Sequence, residues 1–158
     1  MTADDIIKFL DLKPLPREGG YFRETYRSAA AFPGRQRSAG TAIYYLLTPD
    51  TCSALHRLPT DELFHFYQGD PVQMLQLGPD SGKVVMLGND IQAGQRPQVV
   101  VPAGVWQGSC LAEGGKFALL GTTMAPGFDF ADYEAGDRKE LSAKYPQFAE
   151  MIIRLTGT

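Results

Sequence analysis

The chain has 158 residues, of which 44% are hydrophobic and 21% charged. This length and composition suffice for one folded domain with its own core and leave too little for a comfortable second one. The net charge is −3 and the Lys and Arg residues are scattered, which argues against nucleic acid or an anionic lipid surface as a partner. No apolar run approaches the roughly 20 residues that cross a bilayer, and the acidic start MTADDIIKFLDL differs from a secretory signal. We therefore expect a cytoplasmic protein that does not act on membranes.

The two cysteines, Cys52 and Cys110, have no CxxC motif and no neighbouring histidine. A chain of this size needs no disulfide framework to fold, so two thiols fit a reducing compartment. The sequence predicts that both are small buried hydrophobic residues.

The first predicted element is a helix over about residues 3–12. Thr2 offers a capping hydroxyl and Asp5 a first-turn acid, and an apolar stripe from Ile6 to Leu10 follows. Pro14 ends the helical pattern.

A strand is then predicted from Tyr21 to Ser28, because polar and apolar residues alternate there. Strict alternation would place Phe22, Glu24 and Tyr26 on one face and Arg23, Thr25 and Arg27 on the other. We expect the arginines of this strand to lie on a solvated face or in an intersubunit salt bridge.

The middle of the chain contains eight further short runs that are rich in β-branched and aromatic residues and separated by turn residues. They predict an antiparallel sandwich or barrel over about residues 21–125; the runs are 41–47, 53–57, 62–68, 72–78, 83–88, 98–101, 105–111 and 116–124. Residues 127–144 are polar and read as an ordered loop or helical turns. A closing helix is predicted after Pro146, with Phe148, Ile152 and Leu155 on one stripe. The fold class is thus mainly β, in a single domain over residues 1–158.

The segment HRLPTDELFHFYQG, residues 56–69, contains both histidines of the chain. Within a strand, Glu62, Phe64 and Phe66 share one face, while Leu63, His65 and Tyr67 share the other. His65 is therefore predicted to pack on the outside of the sheet. The turn at 59–61 would bring His56 back beside Glu62 on the inward face.

This segment resembles the first motif of cupin barrels, with His56, Glu62 and Gly69 at the expected places and Leu58 where a second histidine belongs. The second cupin motif is matched by PAGVWQ, residues 102–107, in which Gln107 replaces the histidine.

Four segments, at 18–28, 53–71, 100–108 and 125–134, resemble in particular the Cupin_5 family, long described as a domain of unknown function. The resemblance implies a double-stranded β-helix of the jelly-roll type with short terminal helices. It also implies a pocket inside the barrel and a homodimer, but no established reaction.

The donor set argues against a metal cofactor. A divalent ion in such a barrel takes about three or four histidine or carboxylate ligands, and only His56 and Glu62 qualify, with Gln107 a weak third. We expect no cofactor, and a metal-dependent enzyme with a degenerate His56, Glu62 and Gln107 site stays as an alternative.

The same residues suit proton transfer without a metal. A carboxylate beside Phe64 and Phe66 is partly desolvated, and an adjacent imidazole would tune it toward a useful pKa. We therefore predict a small-molecule-binding protein that acts as an isomerase or epimerase on a sugar-like or other small polar metabolite, with His56 as base and Glu62 as its partner or acid.

Gln107 would orient this substrate, and Phe64, Phe66 and an inward tyrosine would contact it. Tyr45 is our candidate for that tyrosine, although the sequence does not decide between Tyr44 and Tyr45. The alternative is a module that binds a ligand with the same residues and performs no chemistry.

Overall fold

The computed structural model describes residues 1–157, which form two packed antiparallel sheets and three short helices. In spatial order, the six-stranded sheet contains β1 (Lys13–Pro14), β2 (Tyr21–Arg27), β3 (Thr41–Leu47), β10 (Ala118–Met124), β5 (Glu62–Gly69) and β8 (Gln98–Val101). The five-stranded sheet contains β11 (Glu134–Ala135), β4 (Cys52–Arg57), β9 (Trp106–Leu111), β6 (Val72–Leu77) and β7 (Gly82–Leu87). The mainly β prediction is confirmed, and all nine predicted strands are present with ends that differ by at most two residues.

The core lies between the two sheets, and strand alternation decides which side chains enter it. Along β5, Glu62, Phe64 and Phe66 are buried, whereas His65 lies on the other face, with its Nε2 2.9 Å from the Thr123 hydroxyl. Tyr45 is buried among the same core residues. The sequence-predicted inward and outward faces of β5 are therefore confirmed, and Tyr45 is the inward member of its tyrosine pair.

The helices cover the outer faces of the sheets. Helix α1 (Ala3–Phe9) begins at the Thr2 capping box and is shorter than predicted, because the chain turns at Asp11, where φ is +50°. Helices α2 (Arg138–Lys144) and α3 (Ala149–Leu155) pack on the five-stranded sheet through Leu141, Ile152 and Leu155. A 3-10 turn at Pro146–Phe148 connects the two helices. Among residues 1–157, no helix is long and apolar enough to span a membrane.

The prediction of two free thiols is wrong. Cys52 and Cys110 lie directly opposite each other on β4 and β9, with their Cα atoms 4.5 Å apart, and form a disulfide. The two residues are 58 positions apart in the chain, so no local motif announces the pairing. Only the sheet register brings them together.

Strand β2 contains a β-bulge that corrects its predicted faces. Glu24 pairs with Ile43 and Tyr26 pairs with Ala42, so Thr25 is an extra residue without a partner position. A bulge shifts the alternation by one residue, and Arg27 consequently shares the inward face with Glu24. The prediction that these two side chains lie on opposite faces is wrong for this reason.

A second bulge occurs in β4. Ser53 pairs with Ser109 and His56 pairs with Gln107, so two residues of β4 oppose the single Gly108. Ser53 and His56 are three positions apart, and strict alternation would send them to opposite faces. The bulge turns both of them inward, where each approaches Glu18.

Candidate functional site

A cavity of about 560 Å³ opens at one end of the barrel. Its walls combine apolar side chains with four carboxyl groups, two threonine hydroxyls and one guanidinium. The lining residues are Leu15, Glu18, Phe22, Glu24, Arg27, Thr41, Ile43, Leu58, Glu62, Thr122, Met124, Phe128, Asp129 and Phe130. A volume of this size suits a small organic ligand.

The strand register explains which residues reach this cavity. In the six-stranded sheet, one row of residues paired across neighbouring strands consists of Arg27, Thr41, Met124 and Glu62. The next row consists of Glu24, Ile43, Thr122 and Phe64. Every member of these rows except Phe64 lines the cavity.

The third row along the barrel closes the bottom of this space. It contains Phe22, Tyr45, Leu120 and Phe66, and only Phe22 of these lines the cavity. Phe64, Phe66 and Tyr45, which the sequence analysis placed against the substrate, lie instead in the packed core beside it.

Glu18 enters the cavity from the loop that precedes β2. Its carboxylate Oε1 accepts a hydrogen bond of 2.9 Å from the Ser53 hydroxyl, and its backbone carbonyl accepts one of 2.7 Å from Ala54 N. The following Gly19 has φ of +95°, and a Cβ there would stand 2.4 Å from the Cys52 carbonyl oxygen. Glycine is required for this close approach, so the Glu-Gly pair fixes the carboxylate against β4.

Tyr45 secures the same loop. Its hydroxyl donates a hydrogen bond of 2.7 Å to the Gly19 carbonyl oxygen. Burial, followed by the charge of Glu18, raises the pKa of Tyr45 well above its usual value, so the hydroxyl stays protonated and remains a donor. Tyr45 therefore supports Glu18 from the core.

Glu62 is the second buried carboxyl group on the cavity, with 7% of its surface exposed. Burial and, after it, the nearby charge of Glu18 raise its pKa to about 8, and hydrogen bonding by Thr122 lowers it without offsetting these two effects. Glu62 is consequently protonated at neutral pH, and one cavity contains a carboxylic acid close to a second carboxyl group.

His56 lies behind Glu18 and is 1% exposed. Its Nδ1 is 2.6 Å from the Ala54 carbonyl oxygen, so in the neutral ring the proton resides on Nδ1 and Nε2 carries the lone pair. Nε2 lies 3.9 Å from Glu18 Oε1 and 3.4 Å from Gln107 Nε2. The carboxylate at ion-pairing distance from this imidazole is therefore Glu18, whereas the sequence analysis expected Glu62.

Tyr133 covers the imidazole. The two rings are stacked with centroids 4.9 Å apart, and the Arg17 guanidinium lies 4.7 Å from the tyrosine centroid. Burial raises the pKa of Tyr133 to about 12, so the phenol stays neutral at physiological pH. The stack limits the orientation of His56 and keeps water from its face.

A second, much smaller cavity of about 10 Å³ lies beside the first. His56, Gln107 and Glu62 all line it, together with Leu58 and Thr60. Glu62 is thus the sequence-predicted residue that contacts both spaces, while His56 and Gln107 contact only the small one.

The residues at the cupin metal positions do not fit a divalent ion. Leu58 offers no donor atom, and Gln107 directs its amide nitrogen toward the lone pair of His56, which a metal would need. The Gln107 oxygen is buried and has no hydrogen-bond partner among residues 1–157. Among the residues that the structure describes, no group of three or more His, Cys, Asp or Glu could hold a metal ion. Two strong ligands fall short of the usual three or four.

Three residues of the site, Glu18, Arg27 and Tyr133, were not predicted as site residues from the sequence. Glu18 was detectable as an acid followed by two glycines directly before a strand, a pattern that often marks a tight functional turn. Arg27 was hidden by the bulge at Thr25, and Tyr133 by its position in a loop.

The Ser53 hydrogen bond predicts a measurable stability loss. Ser53→Ala removes a donor to a buried charged acceptor, and we expect the free energy of unfolding to fall by about 1.5 kcal/mol in urea titrations. Ser142→Ala is the matched control, because the Ser142 hydroxyl is buried without a hydrogen-bond partner. Equal losses in the two variants would contradict the role of Ser53.

Comparisons with known proteins show a family and several relatives that are similar to this chain. The family model Cupin_5, described as Cupin superfamily (DUF985), matches residues 4–136. An uncharacterised protein of Saccharomyces cerevisiae is 34% identical in an alignment of 134 residues that covers 74% of this chain and 67% of the yeast protein.

Solved structures extend the similarity over the whole chain. The crystal structure of a protein from Shewanella oneidensis has 38% identity and a TM-score of 0.91, covering 99% of this chain and 98% of that one. A hypothetical protein from Leishmania major has 34% identity and the same TM-score of 0.91, with 100% of both chains covered.

Oxalate decarboxylase from Bacillus subtilis has 16% identity and a TM-score of 0.57, covering 93% of this chain and 38% of that one, which is a likeness of fold alone. The chain belongs to the Cupin_5 family of the cupin superfamily, and the structure confirms the cupin fold.

Proposed function

We propose that this protein is a metal-independent isomerase or epimerase that moves a proton at a carbon next to a carbonyl group of a small polar metabolite. The observation that carries the proposal is the pair of buried carboxyl groups, Glu18 and Glu62, on one cavity of about 560 Å³. Glu62 is protonated at neutral pH because its pKa is raised to about 8. A base and an acid facing one bound molecule are the equipment of this reaction class.

In the proposed reaction, Glu18 and Glu62 are the acceptor and the donor of the two protons that move. Glu18 as carboxylate takes the proton from the carbon, whose electron pair forms the C=C bond of an enol while the carbonyl oxygen takes the proton of Glu62. If the substrate carries a hydroxyl on the carbon that lost its proton, Glu18 can return the proton to the former carbonyl carbon while that hydroxyl gives its proton to Glu62, which yields the isomeric carbonyl compound. If the enol instead turns over in the cavity, Glu18 returns the proton to the opposite face of the original carbon while the enol hydroxyl returns its proton to Glu62, which yields an epimer.

His56 keeps a role in this proposal, although it does not line the larger cavity. Its Nε2 is 3.9 Å from Glu18 Oε1, which is longer than a hydrogen bond, so the imidazole would act as a buried polar neighbour that helps to position this carboxylate. Gln107 and the stacked Tyr133 fix the ring in that place. In this arrangement Glu18 is the group that touches substrate, and His56 acts behind it.

The test is proton exchange in D₂O. The protein is incubated with a panel of hydroxyketones, aminoketones and aldoses, and the loss of each α-proton signal is followed by NMR. We expect at least one compound to exchange faster than in protein-free buffer, at a rate that EDTA treatment leaves unchanged. Exchange by no member of the panel, or exchange that EDTA abolishes, would overturn the proposal.

A non-catalytic binding module is the second candidate. It is favoured by the contact of 3.4 Å between His56 Nε2 and the Gln107 amide nitrogen, since a ring nitrogen that accepts this hydrogen bond is occupied within the protein. In that case, panel members that raise the melting temperature by mass action would show no exchange.

A further inference from the structure

We propose that the substrate of this cavity carries a positively charged ammonium group, which is bound at the cavity mouth by Asp129 and the aromatic surface that Phe128 and Phe130 present to the cavity. The reacting carbon would then lie deeper, against Glu18 and Glu62. This inference rests on the proposed function for the reacting half of the molecule, whereas the ammonium half is tested by binding alone.

The charges of the lining residues favour a cation. Four carboxyl groups face the cavity, from Glu18, Glu24, Glu62 and Asp129, and Arg27 supplies the single cation of the lining. Arg27 makes two hydrogen bonds of 2.8 Å to the Glu24 carboxylate, so it is already neutralised. With Glu62 protonated, Glu18 and Asp129 leave two unbalanced negative charges on the cavity wall.

The charges of the lining residues also disfavour phosphorylated ligands. Phosphate and carboxylate groups are bound in proteins by unpaired arginines, lysines or helix N-termini. The guanidinium at this cavity donates to Glu24 and to the Phe128 carbonyl oxygen, the latter at 3.2 Å. A nucleotide or a sugar phosphate would therefore meet unbalanced carboxylates in place of a free cation.

The mouth has the composition of an ammonium site. Phe128 and Phe130 are packed edge to face with centroids 4.9 Å apart, and Asp129 stands between them in the chain. All three residues line the cavity. An aromatic ring attracts an ammonium through its quadrupole, and a carboxylate adds direct charge.

Glu62 is an independent indication of a ligand. Its carboxyl group is more than nine-tenths buried, lines the cavity, and forms no salt bridge with any described residue. Burial keeps this carboxyl group protonated, so it has a hydrogen to donate into the cavity. A polar group of a bound molecule is a suitable acceptor for it.

Three probes with one apolar body test the charge selectivity. Benzylamine, benzyl alcohol and benzoate carry a positive, a neutral and a negative group at pH 7, and their dissociation constants are measured by isothermal titration calorimetry. We expect benzylamine to bind at least tenfold more tightly than benzyl alcohol and benzoate to bind more weakly than both. Equal affinity for the amine and the alcohol, preference for benzoate, or failure of millimolar benzylamine to bind would overturn the inference.

Asp129→Asn locates the ammonium site. The side-chain oxygen that accepts the Ala131 amide hydrogen at 2.9 Å is retained, because asparagine serves this capping position as well as aspartate. We expect the variant to lose most of the tenfold advantage of the amine while its affinity for the alcohol stays within about twofold. Asp80→Asn, which removes an exposed charge outside the cavity, should leave both affinities unchanged.

The outcomes separate this inference from the proposed reaction. Retained amine selectivity in Asp129→Asn would overturn the ammonium site and leave the exchange chemistry untouched. Amine selectivity in the wild type without exchange of any α-proton would overturn the reaction and retain the charge class of the ligand.

Discussion

Replacing Glu18 with glutamine should lower the rate of α-proton exchange about a thousandfold, the size of effect that a positioned general base provides. The amide occupies the same volume, and its oxygen can still accept the hydrogen bond that Ser53 donates at 2.9 Å. The loss would thus report the missing base and not a displaced loop. The measurement is the NMR exchange rate of the best substrate in D₂O.

Two comparisons make the Glu18 result decisive. Glu134→Gln removes an exposed carboxylate that pairs with Arg57 at 2.6 Å outside the cavity, and its exchange rate should equal that of the wild type. The melting temperature of Glu18→Gln should stay within a few degrees of the wild-type value. Exchange at near wild-type rate in folded Glu18→Gln would mean that another group is the base.

Glu62 should make the protein less stable as the pH rises. Its pKa is about 8 in the folded state and about 4.3 in an unfolded chain. The folded state therefore binds more protons between these values, and stability that is fully present below the unfolded pKa is lost as pH rises through the folded one. Between pH 5 and pH 8 this loss amounts to about 3 kcal/mol, because each pKa unit corresponds to about 1.4 kcal/mol.

The Glu62 effect is isolated by comparing wild type with Glu62→Gln in urea at pH 5 and at pH 8. The variant has no proton to lose, so its free energy of unfolding should decline less over this interval by about the same 3 kcal/mol. Glu113→Gln, at an exposed position, should follow the wild-type curve. Parallel pH curves for wild type and Glu62→Gln would show that Glu62 is already ionised in the folded protein.

Much of the fold could be predicted because it depends on local patterns. The alternation in β5 placed Glu62 and Phe64 inward and His65 outward, as observed. Groups of Gly, Pro, Asp and Asn between the apolar runs indicated the strand ends, because these residues favour turns. Helix α1 was predicted too long because nothing in its apolar stripe announces the positive φ at Asp11.

The site was harder to predict because it depends on long-range register. Gln107 was assigned to the same site as His56 through its motif, and the two residues are neighbours across β4 and β9. Glu18 lies 38 positions before His56 and reaches it only through a loop held by Tyr45 and Ser53. Arg27 and the disulfide partner of Cys52 likewise follow from bulges and strand pairing, which single-sequence periodicity does not encode.

The unpaired Thr25 in β2 has a consequence for how such a strand can change over evolutionary time. Deleting this one residue would place Glu24 and Arg27 two positions apart, so regular alternation would keep both side chains inward and Arg27 opposite Thr41. The guanidinium that neutralises Glu24 would stay at the cavity, and the charge that a ligand meets would not change. In a barrel of this kind, an edge-proximal strand can therefore lose its bulge by a one-codon deletion while the charged groups that face the ligand are kept.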